Sequence, residues 1–195
     1  MIDDPVSKIE RFYGLIGSRL SETKQAFVIS KALNEAFGGE LSAELAQKVD
    51  DLRAVAWPIL WSCQVATFTG LVAVLEKSEG SASIPELARL IRLRGGVVPT
   101  ELEEEIGIIF EKNRTFRNKL FTHNSIHRER IQKEFNSLKI SWETMAKDFE
   151  TVERVFFQVS DCSPELSLQL GPLMLVKDVQ DTEATIQDLI AKFKG

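Results

Sequence analysis

The chain has 195 residues, 44% of them hydrophobic and 27% charged, with a net charge of -5. These proportions exclude a disordered polypeptide and leave room for one good core or two small ones. The acidic balance excludes a generic nucleic-acid coat protein, whose whole surface would be basic, but it does not exclude a local basic cleft.

In chain order, nearly everything reads as helix. Val6 to Leu20 follows Pro5 and places Ile9, Phe12, Tyr13, Ile16 and Leu20 at helical spacing. Ser21 with Glu22 is expected to cap a second run ending at Phe37, where Gly38-Gly39 stops it. Ser42 then starts a long helix to about Lys77, bent near Pro58 because proline lacks the donor that a helix interior needs. Pro85 to Arg92 is a short helix between Ser83 and Gly95-Gly96. Pro99-Thr100 launches the next, with Glu101, Glu103, Glu104 and Glu105 at its start and Arg114, Arg117 and Lys119 near its end. Each sign sits where the helix dipole favours it. His127 to Leu138 reads as helix, and Ser141 opens another that carries Met145, Phe149, Val152, Val155 and Phe156. Ser160 to Gly171 reads as loop, Leu173 to Val176 as strand or core, and Asp181 to Lys194 as a final helix. The fold class is all-α, a helical bundle with long central helices in a single domain over 1–195.

Ala54 to Leu75 carries no charge for 22 residues, the length of a membrane span. Pro58, Ser62, Gln64, Thr67, Thr69 and Gly70 interrupt it, which suits a helix buried in a bundle or dimer better than one facing lipid. The N-terminus, Met1-Ile2-Asp3-Asp4-Pro5, has neither the basic nor the apolar region of a signal peptide. Cys63 reads as a small hydrophobe and Cys162 as a helix-end thiol, and the two have no metal or redox spacing. A reducing cytoplasm is the expected location, with no membrane association.

Charge is strongly segregated. Lys112 to Lys133 holds seven Lys/Arg against Glu129 alone, a net +6, so the rest of the chain carries -11. Both histidines, His123 and His127, lie in that window. On the helix before them, Arg117 and His123 fall about 60° to either side of Leu120, at the edges of the apolar stripe Ile106, Ile109, Phe110, Phe116 and Leu120. An imidazole moves protons near neutral pH, and a guanidinium grips phosphate oxygens with a planar fork of donors. Together they form a small kit for RNA chemistry. The plainer alternative has His123 bonding the last helix carbonyls and Arg117 pairing with a glutamate.

The stretch Phe116-Arg117-Asn118-Lys119-Leu120-Phe121-Thr122-His123-Asn124 resembles the signature of the HEPN superfamily, in which a histidine follows an arginine and a polar residue. More narrowly it resembles the AbiU branch of abortive-infection proteins, with its R-x-K-x-x-A/T-H motif and a polar residue after it. The apolar helix around Ala54 to Trp61 and the helix opened by Ile140-Ser141-Trp142-Glu143 fall where that family has comparable elements. The resemblance covers roughly Val49 to Val159, with the N-terminal helices 6–37 and the tail 160–195 as additions. It implies a two-fold homodimer with motif helices facing across the interface, and a metal-independent ribonuclease of defence or toxin–antitoxin type. RNA would be the substrate, and an antitoxin protein a further partner. Arg117 and His123 would be catalytic, with Asn118, Lys119, Arg114, Asn124 and His127 supporting or binding RNA. Some members of the superfamily are inactive modules that bind nucleotide, RNA or protein, and this is the alternative.

No His/Cys/Asp cluster stands at metal spacing, and neither a P-loop nor a nucleophile elbow occurs, so no metal and no cofactor is expected. The acidic run Glu101 to Glu105 is better explained as a solvated, dipole-matched helix start than as a cation site.

Overall fold

A computed structural model describes residues 5–37, 43–122, 133, 136–163, 166 and 171–194. The six elements among these described residues are all α-helices: α1 Pro5–Phe37, α2 Ala43–Leu75, α3 Ile84–Leu93, α4 Thr100–Thr122, α5 Trp142–Asp161 and α6 Gly171–Lys194. The all-α expectation is met. No strand occurs among the described residues.

Pro5–Phe37, 33 residues, form one helix rather than two. Ser21, expected to cap a second helix, is buried in mid-helix, and the nearby Thr23 hydroxyl donates back to the Arg19 carbonyl at 2.5 Å. Capping needs a chain that turns, and no Gly or Pro lies between Leu20 and Phe37 to turn it. The buried face therefore runs unbroken through Ile9, Phe12, Tyr13, Ile16, Leu20, Phe27 and Leu33.

Helix α2 passes through Pro58 without ending. It packs along α1. Gly70 permits this approach, since a Cβ there would sit 2.0 Å from Thr23 Oγ1. Pro58–Leu75 is the one stretch among the described residues long and apolar enough to cross a membrane, with mean hydropathy 1.6 and 39% of it buried. Its last turns, Leu71, Val72, Val74 and Leu75, lie in the core, while Pro58, Ile59, Ser62, Ala66 and Thr69 are exposed.

Ser83 opens α3 from an extended conformation, and Pro85 is accommodated in the first turn, where its missing N–H costs nothing. The helix closes on Gly95, whose φ of +86° only glycine adopts cheaply, with the Gly96 N–H returning to the Ile91 carbonyl at 3.0 Å. Ser141 caps α5 through a reciprocal box with Thr144.

Helix α6 begins ten residues before the expected Asp181, so Leu173 to Val176 belongs to its first turns and is not strand. Pro172 suits that first turn, and the apolar run continues in helical phase to Val179, Ile186 and Ile190. Ile186 and Ile190 pack on Ala32 and Ala36 of α1. Of the expected helix His127 to Leu138, Lys133, Asn136 and Ser137 are helical and Leu138 lies in a turn, while 127–132 and 134–135 fall outside the described residues. Helix α5 reaches Asp161, inside the stretch expected as loop.

The main core gathers side chains from α1 to α5 and Leu166. Its aromatic contacts tie distant segments together. Tyr13 stacks on Phe156 at 5.1 Å between centroids, Phe27 tilts against Phe149 and Trp142, and Phe68 meets Phe116 at 4.4 Å. Such pairs add about 0.5–1.5 kcal/mol each beyond the area they bury.

Candidate functional site

The buried face of α4 runs Ile106, Ile109, Asn113, Phe116, and Phe116 against Phe68 fixes the rotation of the helix. With that rotation set, Arg117 and Lys119 are half-buried beside the stripe, while Arg114 and Asn118 are exposed. Four of the seven residues singled out from the sequence therefore share the last turns of one helix. The other three, His123, Asn124 and His127, lie outside the described residues.

Arg117 is oriented by its neighbour. Its Nη2 and Nε donate to Asn118 Oδ1 at 3.1 and 3.3 Å, so Asn118 acts as an acceptor for the guanidinium. The fork has about five N–H donors, so these two bonds do not exhaust it.

Two cations of the basic window are committed to acids. Lys112 Nζ stands 2.5 Å from Asp148 Oδ2 of α5 in a largely buried pair. That oxygen has no hydrogen bond of good geometry, but the ammonium meets its charge. Arg114 Nη2 binds Glu111 at 2.7 Å, and its guanidinium lies 5.4 Å from the Phe110 centroid. The net +6 of the window thus overstates the field at the end of α4, because Glu111 and Asp148 lie beyond the window in sequence and beside it in space.

Asn113 escaped the sequence reading. It is fully buried in the apolar stripe, its Nδ2 donates to the Ile109 carbonyl at 2.8 Å, and its Oδ1 has no hydrogen-bond partner among the described residues. Its signal in the sequence was faint: an asparagine at the one position of the stripe where an apolar residue was due. Cys63 is half-buried, and burial pushes its thiol pKa up, which makes it a poor nucleophile. The Cys162 thiol donates to the Gln158 carbonyl at 3.2 Å. Among the described residues, no three His, Cys, Asp or Glu side chains are grouped to hold a metal ion.

Comparison with protein families, with curated proteins and with solved structures finds no match to this chain.

Proposed function

We propose that the chain is a metal-independent endoribonuclease of the HEPN type, cytoplasmic and dimeric, acting in defence or opposed by an antitoxin protein. The reading is supported by one arrangement above all: a guanidinium pre-aimed by its own neighbour on a helix described as far as Thr122, the residue that directly precedes His123 in sequence. The reaction is transesterification. The RNA 2′-oxygen attacks the adjacent phosphorus, the bond from phosphorus to the 5′-oxygen breaks, and the products are a 2′,3′-cyclic phosphate and a 5′-hydroxyl. His123 takes the 2′-proton or supplies one to the leaving oxygen, a role an imidazole fills near pH 7. Arg117 stabilises the charge that builds on the phosphoryl oxygens, and Lys119 adds to the field. Asn118 holds the guanidinium in place; Arg114, Asn124 and His127 are RNA contacts. A second copy of the motif across a dimer axis provides the complementary acid or base.

The test compares single-stranded RNA with DNA of the same sequence, using wild type, Arg117→Ala and Asn118→Ala. RNA alone should be cut, since DNA lacks the 2′-hydroxyl. Loss of Arg117 should lower kcat about 10²–10³-fold, and loss of Asn118 should lower it less, with unfolding temperatures unchanged in both. Undiminished cleavage by Arg117→Ala would refute the assignment.

A further inference from the structure

The apolar stripe of α4 holds one side-chain amide, that of Asn113, 0% exposed between Ile109 and Phe116. Its Nδ2 is committed to the Ile109 carbonyl at 2.8 Å, which fixes the plane of the carboxamide. On the other side of that plane, Oδ1 has no hydrogen-bond partner among the described residues. A buried acceptor left unpaired destabilises the fold, whereas a leucine of similar size would not. An unpaired oxygen one turn from a functional side chain calls for an explanation in that side chain.

Helix geometry supplies it. Arg117 lies one turn after Asn113 and about 40° around the helix, with Cβ atoms roughly 5–6 Å apart. Long side chains on a helix lean toward its N-terminus, over the residue four positions before. The ordinary lie of Arg117 therefore carries its fork across Asn113. In the structure the fork turns instead to the exposed neighbour, and Nε and Nη2 donate to Asn118 Oδ1 at 3.3 and 3.1 Å. Arg117 is half-buried, at the rim between an exposed acceptor and a buried one. A guanidinium is weakly hydrated for a cation and suits such a partly buried position better than an ammonium would.

We propose that Asn113 is a positioning residue, a second acceptor on which Arg117 rests. The guanidinium exchanges between an outward position on Asn118 and an inward one on Asn113. Inward, it satisfies the buried oxygen and is withdrawn from solvent. Outward, it presents the N–H groups that Asn118 does not use, and a phosphate that binds there draws the population outward. The consequence for RNA rests on the proposed role of Arg117, but the exchange itself does not.

The test is the Arg117 Nε–Hε signal by NMR in the full chain, in wild type, Asn113→Leu and Asn118→Ala. Asn113→Leu removes the inner acceptor and holds the fork outward; Asn118→Ala removes the outer one and sends it inward. The two variant signals should fall on opposite sides of the wild-type signal and on one line with it, as exchange between two states requires. Both variants should keep the wild-type helical circular dichroism. Should Asn113→Leu fail to fold, Asn113→Ala removes the same oxygen and should displace the signal in the same direction. At limiting RNA, Asn113→Leu should cleave about twofold faster, the gain when half the population had been held inward, and Asn118→Ala more slowly. An Arg117 signal unmoved by loss of Asn113 would overturn the proposal, the result expected if a fixed water satisfies the oxygen. Displacement of both variant signals to the same side would also overturn it. Displaced signals without cleavage by any of the three proteins would uphold the exchange and refute the ribonuclease reading.

Discussion

Replacing Glu86 by glutamine removes a charge from one of the most buried carboxylates in the fold, and its cost can be worked from the contacts. The Glu86 side chain is 4% exposed in the first turn of α3. It accepts Arg89 Nε at 2.7 Å and Nη2 at 2.8 Å, and the Gly80 N–H at 3.2 Å. The Arg89 hydrogen bonds, set against the penalty of burial, hold its pKa below the ordinary carboxylate value, with smaller help from Gly80 and from the charges of Arg89 and Lys8. Hydrogen bonds to a charged group are worth about 1.5–3 kcal/mol. Arg89 is substantially solvated, so screening brings the whole cluster to the lower end, about 1–2 kcal/mol. For a chain of this size that is a fall of about 2–8 °C in Tm. Because the folded pKa lies below the unfolded value of about 4.3, the contribution is complete above that pH and disappears as pH falls through the folded pKa. Urea unfolding of wild type and Glu86→Gln should therefore show a gap at pH 7 that narrows progressively as pH is lowered below about 4.3. A gap that keeps its size through that descent would refute the reasoning, and so would no gap at pH 7.

Other substitutions probe the packing that positions the site. Phe116→Ala should cost about 3–5 kcal/mol by urea unfolding, since the ring is 1% exposed and packs against Phe68. Gly70→Ala should destabilise by about 1–3 kcal/mol because the new methyl meets the buried Thr23 hydroxyl. In a Thr23→Ala background most of that penalty should vanish, and the double-mutant cycle measures the coupling directly.

The sequence carries the helices because their apolar periodicity is strong, and it misplaces boundaries where capping residues lie inside a helix. Ser21 has the identity of a cap, yet its backbone is committed on both sides to a continuous hydrogen-bond ladder. The start of α6 was hidden for the opposite reason: Leu173 to Val176 is too short a run to separate strand from helix by period alone. At the site, the linear spacing of Arg114, Arg117 and Asn118 places them within about 100° of one another on one helical surface, while Lys119 falls on the opposite flank. Pairings across sequence do not translate in this way. Asp148 neutralises Lys112 from another helix, with no local motif to announce it.

The most direct measurement is cleavage of single-stranded RNA in excess EDTA by wild type and His123→Ala side by side, with the product ends identified. Cleavage by wild type leaving 2′,3′-cyclic phosphate ends, lowered by at least about 10²-fold in the variant, is the predicted result. Equal cleavage by the two proteins, or wild-type products ending in a 3′-hydroxyl, would contradict it.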